Sequence, residues 1–244
     1  MSKIRLDQLV FDRGFAESRE KAKAIVMSGA VFVNGQKADK PGMSVSPECE
    51  LDVRGTPLKY VSRGGLKLEK ALKVFPVCAE GKICIDCGAS TGGFTDCLLQ
   101  NGAVKVYACD VGHAQLAEKL KNDKRVVDLE GTHINALSAE RVGKVGIITC
   151  DVSFISLRHV LPYLKIFADT PCDIICLFKP QFEYGKKVKN GVIKDEIIHK
   201  SLLENFITFA EKEGFIVINT DVSPILGGDG NKEFLLHLQL QNAD

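Results

Sequence analysis

A lysine follows an apolar run late in the chain. Residues 174–178 read IICLF, and Lys179 and Pro180 come directly after them. A short apolar run of this kind is typical of a buried strand, and lysine is seldom buried without a partner. A buried lysine readily changes its pKa towards values that are useful in catalysis. We therefore predict that Lys179 is catalytic, with plain surface exposure as the alternative.

A glycine-rich segment, DCGASTGGFTD, occupies residues 86–96. It lies between a predicted strand and a predicted helix, where glycines let the backbone turn tightly and approach a ligand. Its spacing matches neither GxxxxGK[ST] nor a clean GxGxxG. Asp110 ends the next predicted strand, about where a ribose-binding carboxylate is expected after such a loop. Together these features predict a cofactor that contains adenosine.

Two such cofactors fit the pattern, a nicotinamide dinucleotide and S-adenosylmethionine. Asp86 precedes the glycines, and its carboxylate would repel a pyrophosphate but attract an ammonium group. The sequence therefore favours S-adenosylmethionine. No metal site is predicted. Cys84 and Cys87 match C-x-x-C, but they fall in one predicted strand, where residues three apart point to opposite faces. The nine cysteines are expected to be reduced and mostly buried.

Three further charged residues accompany the predicted elements. Asp151 ends the strand predicted at 145–151, Lys67 lies in the helix predicted at 64–74, and Glu233 begins the last predicted strand. Taken singly, each is better explained by a structural role or by surface exposure than by catalysis. Open α/β sheets bind ligands beyond the carboxyl ends of their strands, so Asp151 and Lys179 are expected at that edge.

Alternating strands and helices predict the scaffold for these residues. A largely parallel sheet with helices on both faces is the expected result. Strands are predicted at 82–86, 104–110, 125–129, 145–151, 172–179, 215–222 and 232–240. Helices are predicted at 64–74, 92–101, 113–121, 156–167 and 195–213. The fold class is thus α/β, with a Rossmann-like sheet of seven strands.

The first 54 residues differ in character. Apolar residues at helical spacing predict two helices, with Ser18 capping the second, and VFVNGQK predicts a hairpin with an Asn-Gly turn. Basic residues cluster here, which is compatible with RNA binding or with a solvated face. Residues 55–61, GTPLKYV, are expected to link this unit to a second domain at 62–244.

The charge balance and the apolar stretches of the chain limit the class of protein that it can belong to. The 244 residues carry 32 Lys and Arg against 31 Asp and Glu, so any basic surface must be local. No stretch approaches the roughly 20 apolar residues of a membrane span. The start, MSKIRLDQLVFDRGF, has no signal-peptide core, so a cytoplasmic protein without membrane contact is expected.

The two regions resemble known domains. RLDQLV and SREKAKAIVMSGAVFVNG are similar to the S4 RNA-binding domain. SRGGLKL, DCGASTGGFTD, DVG, DVSFIS and KPQFE resemble the FtsJ-like ribose 2′-O-methyltransferases. Both regions in this order resemble the TlyA family of bacterial rRNA methyltransferases, some of which are labelled hemolysins. The likeness covers essentially the full chain.

The resemblance implies three groups of site residues. The family's catalytic tetrad falls on Lys67, Asp151, Lys179 and Glu233. The implied cofactor-binding residues are Asp86, Gly88, Ser90, Thr91, Gly92, Gly93, Phe94, Asp110, Val111 and Asp151. The implied RNA-binding residues are Arg5, Arg13, Ser18, Arg19, Lys21, Lys23, Lys37, Arg63, Lys186 and Lys187.

The resemblance also implies a reaction. A methyl group would pass from S-adenosylmethionine to a ribose 2′-hydroxyl of ribosomal RNA, at a cytidine of 16S or 23S rRNA, with the RNA inside ribosomal subunits. Three alternatives stay open: a non-catalytic RNA-binding or ribosome-assembly protein, a membrane-active hemolysin, and a nicotinamide-dependent oxidoreductase. The basic segment at 183–195 is expected to be either a surface loop or a flap that contacts RNA. The oligomeric state is left open.

Overall fold

The computed structural model describes residues 3–16, 18–54, 59–185, 191–227 and 230–241. Its N-terminal unit contains the two predicted helices and the predicted hairpin. The elements are β1 (Ile4–Arg5), α1 (Leu6–Asp12), α2 (Arg19–Met27), β2 (Val31–Val33), β3 (Gln36–Lys37), β4 (Ser44–Val45) and β5 (Leu51–Val53). The hydroxyl of Ser18 accepts the Lys21 N–H at 3.2 Å, so Ser18 caps α2 as predicted. A small core of its own, which includes Leu6, Val10 and Val26, holds the unit together.

The larger unit alternates strands and helices. In chain order it contains α3 (Gly64–Val74), β6 (Ile83–Cys87), α4 (Gly93–Gln100), β7 (Lys105–Asp110), α5 (Glu118–Lys121), β8 (Val126–Glu130), α6 (Ala139–Val142), β9 (Val145–Cys150), α7 (Leu161–Leu164), β10 (Ala168–Phe178), α8 (Pro180–Glu183), α9 (Glu196–Lys212), β11 (Phe215–Val222) and β12 (Phe234–Leu240). Short 3-10 turns lie at Ile134–Ala136 and Leu157–His159.

One seven-stranded sheet organises this unit, as predicted. Its order is β11-β12-β10-β9-β6-β7-β8, and β12 alone runs antiparallel to its neighbours. The chain leaves β6 for β7 and β8, then returns to β9 on the other side of β6. That reversal is the switch point at which such sheets bind ligands. It brings the carboxyl ends of β6, β9 and β10 side by side.

Both faces of the sheet are covered. One core lies on the α3 and α4 side and includes Leu68 and Leu98, and the other lies on the α7 and α9 side and includes Phe206 and Phe215. Cys84 belongs to the first core and Cys87 to the second, which confirms that they face opposite ways. All nine cysteines are free, and Cys78 is the exposed one, so the prediction that the thiols are mostly buried is confirmed.

Two predicted helices are shorter than expected. Only Glu118–Lys121 of the segment 113–121 is helical, because the amides of Gln115 and Leu116 donate to the Glu130 carboxylate instead. The segment 156–167 is divided between a 3-10 turn and the single turn of α7. Strand β10 also begins at Ala168 rather than at residue 172.

No helix in the described ranges has the length and apolar character needed to cross a bilayer. Residues 55–58 of the predicted linker lie outside those ranges, as do Lys186 and Lys187 of the predicted RNA-contacting flap.

Candidate active site

Two cavities adjoin at the carboxyl edge of the sheet. The smaller, of about 380 Å³, is polar and is lined by all four predicted catalytic residues. The larger, of about 690 Å³, lies over the ends of β6 and β7 and is mostly apolar. Gly88, Ser90, Asp151, Ser153 and Phe154 line both cavities. A ligand in the larger cavity can therefore present one end to the charged groups of the smaller cavity.

Lys179 follows the last residue of β10 and is buried, with 7% of its surface exposed. Its Nζ forms an ion pair with Asp151 Oδ1 at 2.6 Å. It also donates to the hydroxyl of Ser153 at 2.8 Å. Asp151 comes directly after β9, the neighbour of β10. The sheet thus places Asp151 beside the lysine, so the burial of Lys179 is accompanied by a partner.

A second ion pair lies in the same cavity. Lys67 on α3 donates from Nζ to Glu233 Oε2 at 2.6 Å. Both side chains are buried. Burial raises the pKa of Glu233, and the neighbouring lysines Lys67 and Lys179 oppose that rise. Glu233 immediately precedes β12 and does not belong to the strand. The structure therefore brings all four predicted catalytic residues together as two lysine–carboxylate pairs.

Asp86 has a different place from the one predicted. Its side chain is fully buried and accepts hydrogen bonds from the hydroxyls of Thr95 at 2.7 Å and Thr149 at 2.9 Å. Burial raises the pKa of Asp86 to about 7, against the effect of those two hydrogen bonds. Asp86 lines neither cavity. The predicted contact between its carboxylate and a cofactor ammonium group therefore gains no support from this arrangement.

Residues of the glycine loop line both cavities. Gly88 has φ of +83°, and a Cβ there would lie against the backbone of Asp151, so this position requires glycine. Ser90, Thr91, Gly93 and Phe94 line the smaller cavity. Gly92 lines neither cavity and packs towards Leu116 and Leu120 instead.

Asp110 lies at the end of β7, beside the larger cavity. Its carboxylate accepts the Ser90 N–H at 2.8 Å and the Gly112 N–H at 2.7 Å. Each carboxylate oxygen has a second lone pair, so the group can still accept hydroxyls of a ribose. Val111 follows and is 63% exposed at the same cavity. The larger cavity therefore combines a carboxylate that can accept further hydrogen bonds with an apolar wall.

Two aromatic residues at the mouth of the site were missing from the predicted set. Phe154 is 92% exposed, and its ring centroid lies 5.4 Å from that of Phe182. Phe154 has φ of +65°, which is strained for a bulky side chain. Their positions in the sequence could have indicated a place at the site, since each lies within five positions of Asp151 or Lys179. An exposed ring held in a strained backbone indicates a functional position.

The predicted RNA-binding residues of the N-terminal unit lie on its surface. Arg5 donates to Asp7 at 2.9 and 2.8 Å, and Arg19 lies 3.7 Å from the same carboxylate. The Arg13 guanidinium donates to the Pro47 carbonyl. The remaining members of the group are Ser18, whose hydroxyl caps α2, and the exposed Lys21, Lys23 and Lys37.

Arg63 differs in its contacts from the predicted RNA-binding residues on the surface of the N-terminal unit. Its guanidinium donates to the Arg13 carbonyl at 2.7 Å and lies 5.1 Å from the centre of the Phe15 ring. Burial and the nearby Arg13 lower its pKa. Arg63 therefore joins the N-terminal unit to the start of α3, one turn before Lys67.

Comparison with known proteins agrees with this architecture. The model of the FtsJ-like methyltransferase family matches residues 60–240, and the S4 domain model matches residues 4–51. Hemolysin A of Brachyspira hyodysenteriae is 44% identical over 96% of this chain and 99% of its own. The 16S/23S rRNA (cytidine-2′-O)-methyltransferase TlyA of Mycobacterium tuberculosis is 40% identical over 98% of this chain and 91% of its own.

A solved structure is similar throughout. It is a protein of Streptococcus thermophilus described as a candidate hemolysin, with a TM-score of 0.77 and 46% identity over 100% of this chain and 90% of that one. The fold and the site thus define a methyltransferase with a Rossmann-like catalytic domain and an S4 domain. The chain belongs to the FtsJ-like methyltransferases and, within them, to the TlyA family.

Proposed function

We propose that this protein transfers a methyl group from S-adenosylmethionine to a ribose 2′-hydroxyl of ribosomal RNA. The observation that carries the proposal is the pair of buried lysine–carboxylate contacts, Lys67 with Glu233 and Lys179 with Asp151, in one cavity. That cavity opens into a second one with the features of an adenosine site. Charged groups held in fixed positions can orient a hydroxyl towards a reacting carbon.

The larger cavity fits S-adenosylmethionine. Asp110 would bind the ribose, while Val111 and Ile134 would pack on the adenine. Ser90 and the backbone of Gly88, at the junction of the cavities, would hold the amino-acid part. When bound, this cofactor supplies an electrophilic methyl carbon on a sulfonium. Asp86 accepts a hydrogen bond from Thr95 on α4 and is proposed to support the start of that helix without contacting the cofactor.

Lys179 is proposed to act on the ribose hydroxyl. A ribose hydroxyl is a weak nucleophile until its proton is removed or displaced. A neutral amine at this position accepts that proton, whereas an ammonium group directs a lone pair of the hydroxyl oxygen at the methyl carbon. Asp151 and Ser153 hold Nζ in place for either role. The two roles predict different pH profiles, because kcat rises with pH as a general base loses its own proton.

The N-terminal unit is proposed to bind the RNA. Its exposed lysines and arginines suit phosphate contacts, which supply affinity and orientation without reading the base. Phe154 and Phe182 at the mouth of the catalytic cavity offer a surface on which an unstacked base can lie. The substrate is therefore proposed to present its target nucleotide out of the helix.

The proposed RNA and the proposed target nucleotide are taken from the names of relatives. TlyA of Mycobacterium tuberculosis carries the name of a 16S/23S rRNA cytidine methyltransferase, and we extend that substrate to this chain. Ribosomal subunits in the cytoplasm are the proposed partners. Lys186 and Lys187 remain proposed RNA contacts. The hemolysin alternative rests on the names of relatives, and no feature of the described site favours it.

Methyl transfer to purified 30S and 50S subunits tests the proposal. Wild-type protein with labelled S-adenosylmethionine should label rRNA at a 2′-oxygen. Lys179→Ala should bind the cofactor with unchanged affinity and transfer no label. The matched control is Lys165→Ala, because Lys165 forms a surface ion pair with Glu213 away from the site.

A labelled product in the presence of Lys179→Ala would contradict the assignment of that residue. Calorimetric titration with S-adenosylmethionine and with NAD separates the methyltransferase from an oxidoreductase. Binding of NAD in place of S-adenosylmethionine would overturn the proposed function as a whole.

A further inference from the structure

Glu183 is a buried carboxylate that the proposed chemistry does not use. It ends the short helix α8, four residues after Lys179, and its side chain is 3% exposed. It accepts hydrogen bonds from the Ser156 hydroxyl at 2.6 Å and from the Leu157 N–H at 2.7 Å. Arg158 lies 3.7 Å away. Burial raises the pKa of Glu183, and these neighbours oppose the rise.

The two hydrogen bonds join the segments that follow β9 and β10 and carry the reacting groups; we call these segments the loops after β9 and β10. The first runs from Asp151 to Leu157, and the second runs from Lys179 through helix α8 to Glu183. The Lys179–Asp151 ion pair crosses between the same loops at their starts. The two loops are therefore joined at their starts by the Lys179–Asp151 ion pair and at their ends by the hydrogen bonds of Glu183. We call the Glu183 hydrogen bonds the clamp, and the clamp together with the ion pair the frame.

The strained residue Phe154 lies inside this frame. A bulky side chain at positive φ costs free energy, and it persists only where surrounding contacts fix the backbone. With 92% of its surface exposed, the ring of Phe154 contributes little packing of its own. Ser156 and Leu157, two and three residues after Phe154, are held by the clamp, and these hydrogen bonds fix the backbone that Phe154 belongs to. It also holds Phe154 at its distance from Phe182, the neighbour of Glu183 in sequence.

We propose that Glu183 is a positioning residue that locks the loops after β9 and β10 together and so sets the geometry of Lys179, Asp151 and Phe154 for transfer. The inference rests on the proposed function. It assigns Glu183 no contact with substrate. Misplacement of reacting groups by about 1 Å can cost about 100-fold in rate, so loss of the clamp should act on kcat.

The test compares two substitutions at the same position. Glu183→Ala removes both acceptors and should lower kcat by about 10- to 100-fold at saturating cofactor and RNA. Glu183→Gln should stay within about threefold of wild type, because its amide oxygen accepts the Leu157 N–H and its amino group donates to the Ser156 hydroxyl. The pH dependence of kcat should shift in Glu183→Ala and keep its wild-type form in Glu183→Gln.

Asp173 supplies the matched control. It lies at the middle of β10 and makes two hydrogen bonds of similar length, with His237 and Gln239, each at 2.8 Å. Asp173→Ala should lower thermal stability without changing kcat or its pH dependence. Equal losses of kcat in Asp173→Ala and Glu183→Ala would show a general effect of destabilisation and would overturn the inference.

Hydrogen exchange provides a readout without catalysis. In Glu183→Ala the amide of Leu157 should exchange at least about tenfold faster, because it loses its acceptor. A folded Glu183→Ala protein with wild-type kcat would refute the positioning role, as would a Glu183→Gln protein as impaired as Glu183→Ala. If Glu183→Ala does not fold, Ser156→Ala removes one bond of the clamp, and unchanged kcat in that variant would refute the role.

This design separates the inference from the proposed function. A wild-type protein that methylates no RNA would contradict the proposed function, whereas the exchange of Leu157 would still report on the clamp. An active wild type together with an unaffected Glu183→Ala would contradict the inference alone.

Discussion

Lys67 Nζ lies 2.6 Å from Glu233 Oε2, although 166 positions separate the two residues in the chain. The contact joins the first helix of the catalytic domain to the segment before its last strand. A buried ion pair gains little net stability, because removing two charges from water offsets most of their attraction. The pair is therefore best explained by what it holds in place, which is the part of the catalytic cavity that Lys67 and Glu233 line.

Removal of one partner should separate stability from catalysis. Glu233→Ala leaves the Lys67 ammonium buried without a counter-charge, and such losses cost about 3–5 kcal/mol. We expect the free energy of unfolding to fall by about 3 kcal/mol and methyl transfer to be lost. Denaturation in guanidinium and a methyl-transfer assay on the same preparation measure both effects.

The double variant Lys67→Met with Glu233→Leu is the control for this prediction. An apolar pair of similar volume is often neutral or stabilising in place of a buried ion pair, so the double variant should regain the stability of the wild type. It should regain no activity. Recovery of both would show that the pair serves the fold alone.

We expect Phe154 to contribute to the use of RNA as a substrate and not to the stability of the fold. Its ring is exposed and its φ is positive, so Phe154→Gly removes strain and little packing. We expect an unchanged or higher melting temperature. Stacking of one base on an aromatic ring is worth about 1–3 kcal/mol, so kcat/KM for RNA should fall by about 5- to 150-fold.

Two variants control for this result. Phe154→Tyr keeps an aromatic face and should remain within about threefold of wild type in kcat/KM, since stacking is tolerant of the ring. Ile197→Ala removes another exposed apolar side chain, on α9, and should change nothing. An active Phe154→Gly would argue against a base at this surface.

Burial of Asp86 predicts a pH-dependent contribution to stability. Its folded-state pKa is raised to about 7, whereas an unfolded aspartate titrates near pH 3.9. Between about pH 4 and pH 7 the folded state therefore binds more protons than the unfolded state. The contribution of Asp86 to stability should fall as the pH rises through this window and stay constant above it.

Asp86→Asn removes that titration with little change in shape. The hydroxyl of Thr95 or Thr149 can rotate to accept from the new amide. A pKa rise of about three units corresponds to about 4 kcal/mol, so stability relative to wild type should increase by a few kcal/mol between pH 4 and pH 8. Urea denaturation across that range measures it, and a difference that does not vary with pH would contradict the raised pKa.

Local patterns predicted the strand ends well. The apolar run before Lys179 and the helix–hairpin pattern around Ser18 are properties of neighbouring residues, and both appear in the structure as predicted. The alternation of strands and helices likewise fixed the mostly parallel sheet, because the connections leave few arrangements.

Features that depend on residues far apart in the chain were harder to predict from the sequence. The contact of Lys67 with Glu233 follows from the antiparallel insertion of β12 between β10 and β11, and spacing in the sequence does not encode it. Asp86 was expected to face a ligand, but Thr149 on the neighbouring strand and Thr95 on α4 enclose it. The segment expected to be one helix from 156 is divided between a 3-10 turn and α7, and local spacing does not show the distant Glu183 carboxylate that accepts the Leu157 N–H.

Gly93 and Gly64 provide the last prediction. They are the first residues of α4 and α3, and both have helical backbone angles. A Cβ on Gly93 would lie 2.8 Å from the backbone nitrogen of Gly65, whereas a Cβ on Gly64 would have its nearest neighbour, the Ser62 hydroxyl, at 3.4 Å. Overpacking at a close contact costs about 1–3 kcal/mol, so Gly93→Ala should lower the free energy of unfolding by about 2 kcal/mol. Gly64→Ala should change it by less than about 0.5 kcal/mol. Equal effects in a denaturation series would show that the close approach of α3 to α4 does not limit residue size at position 93.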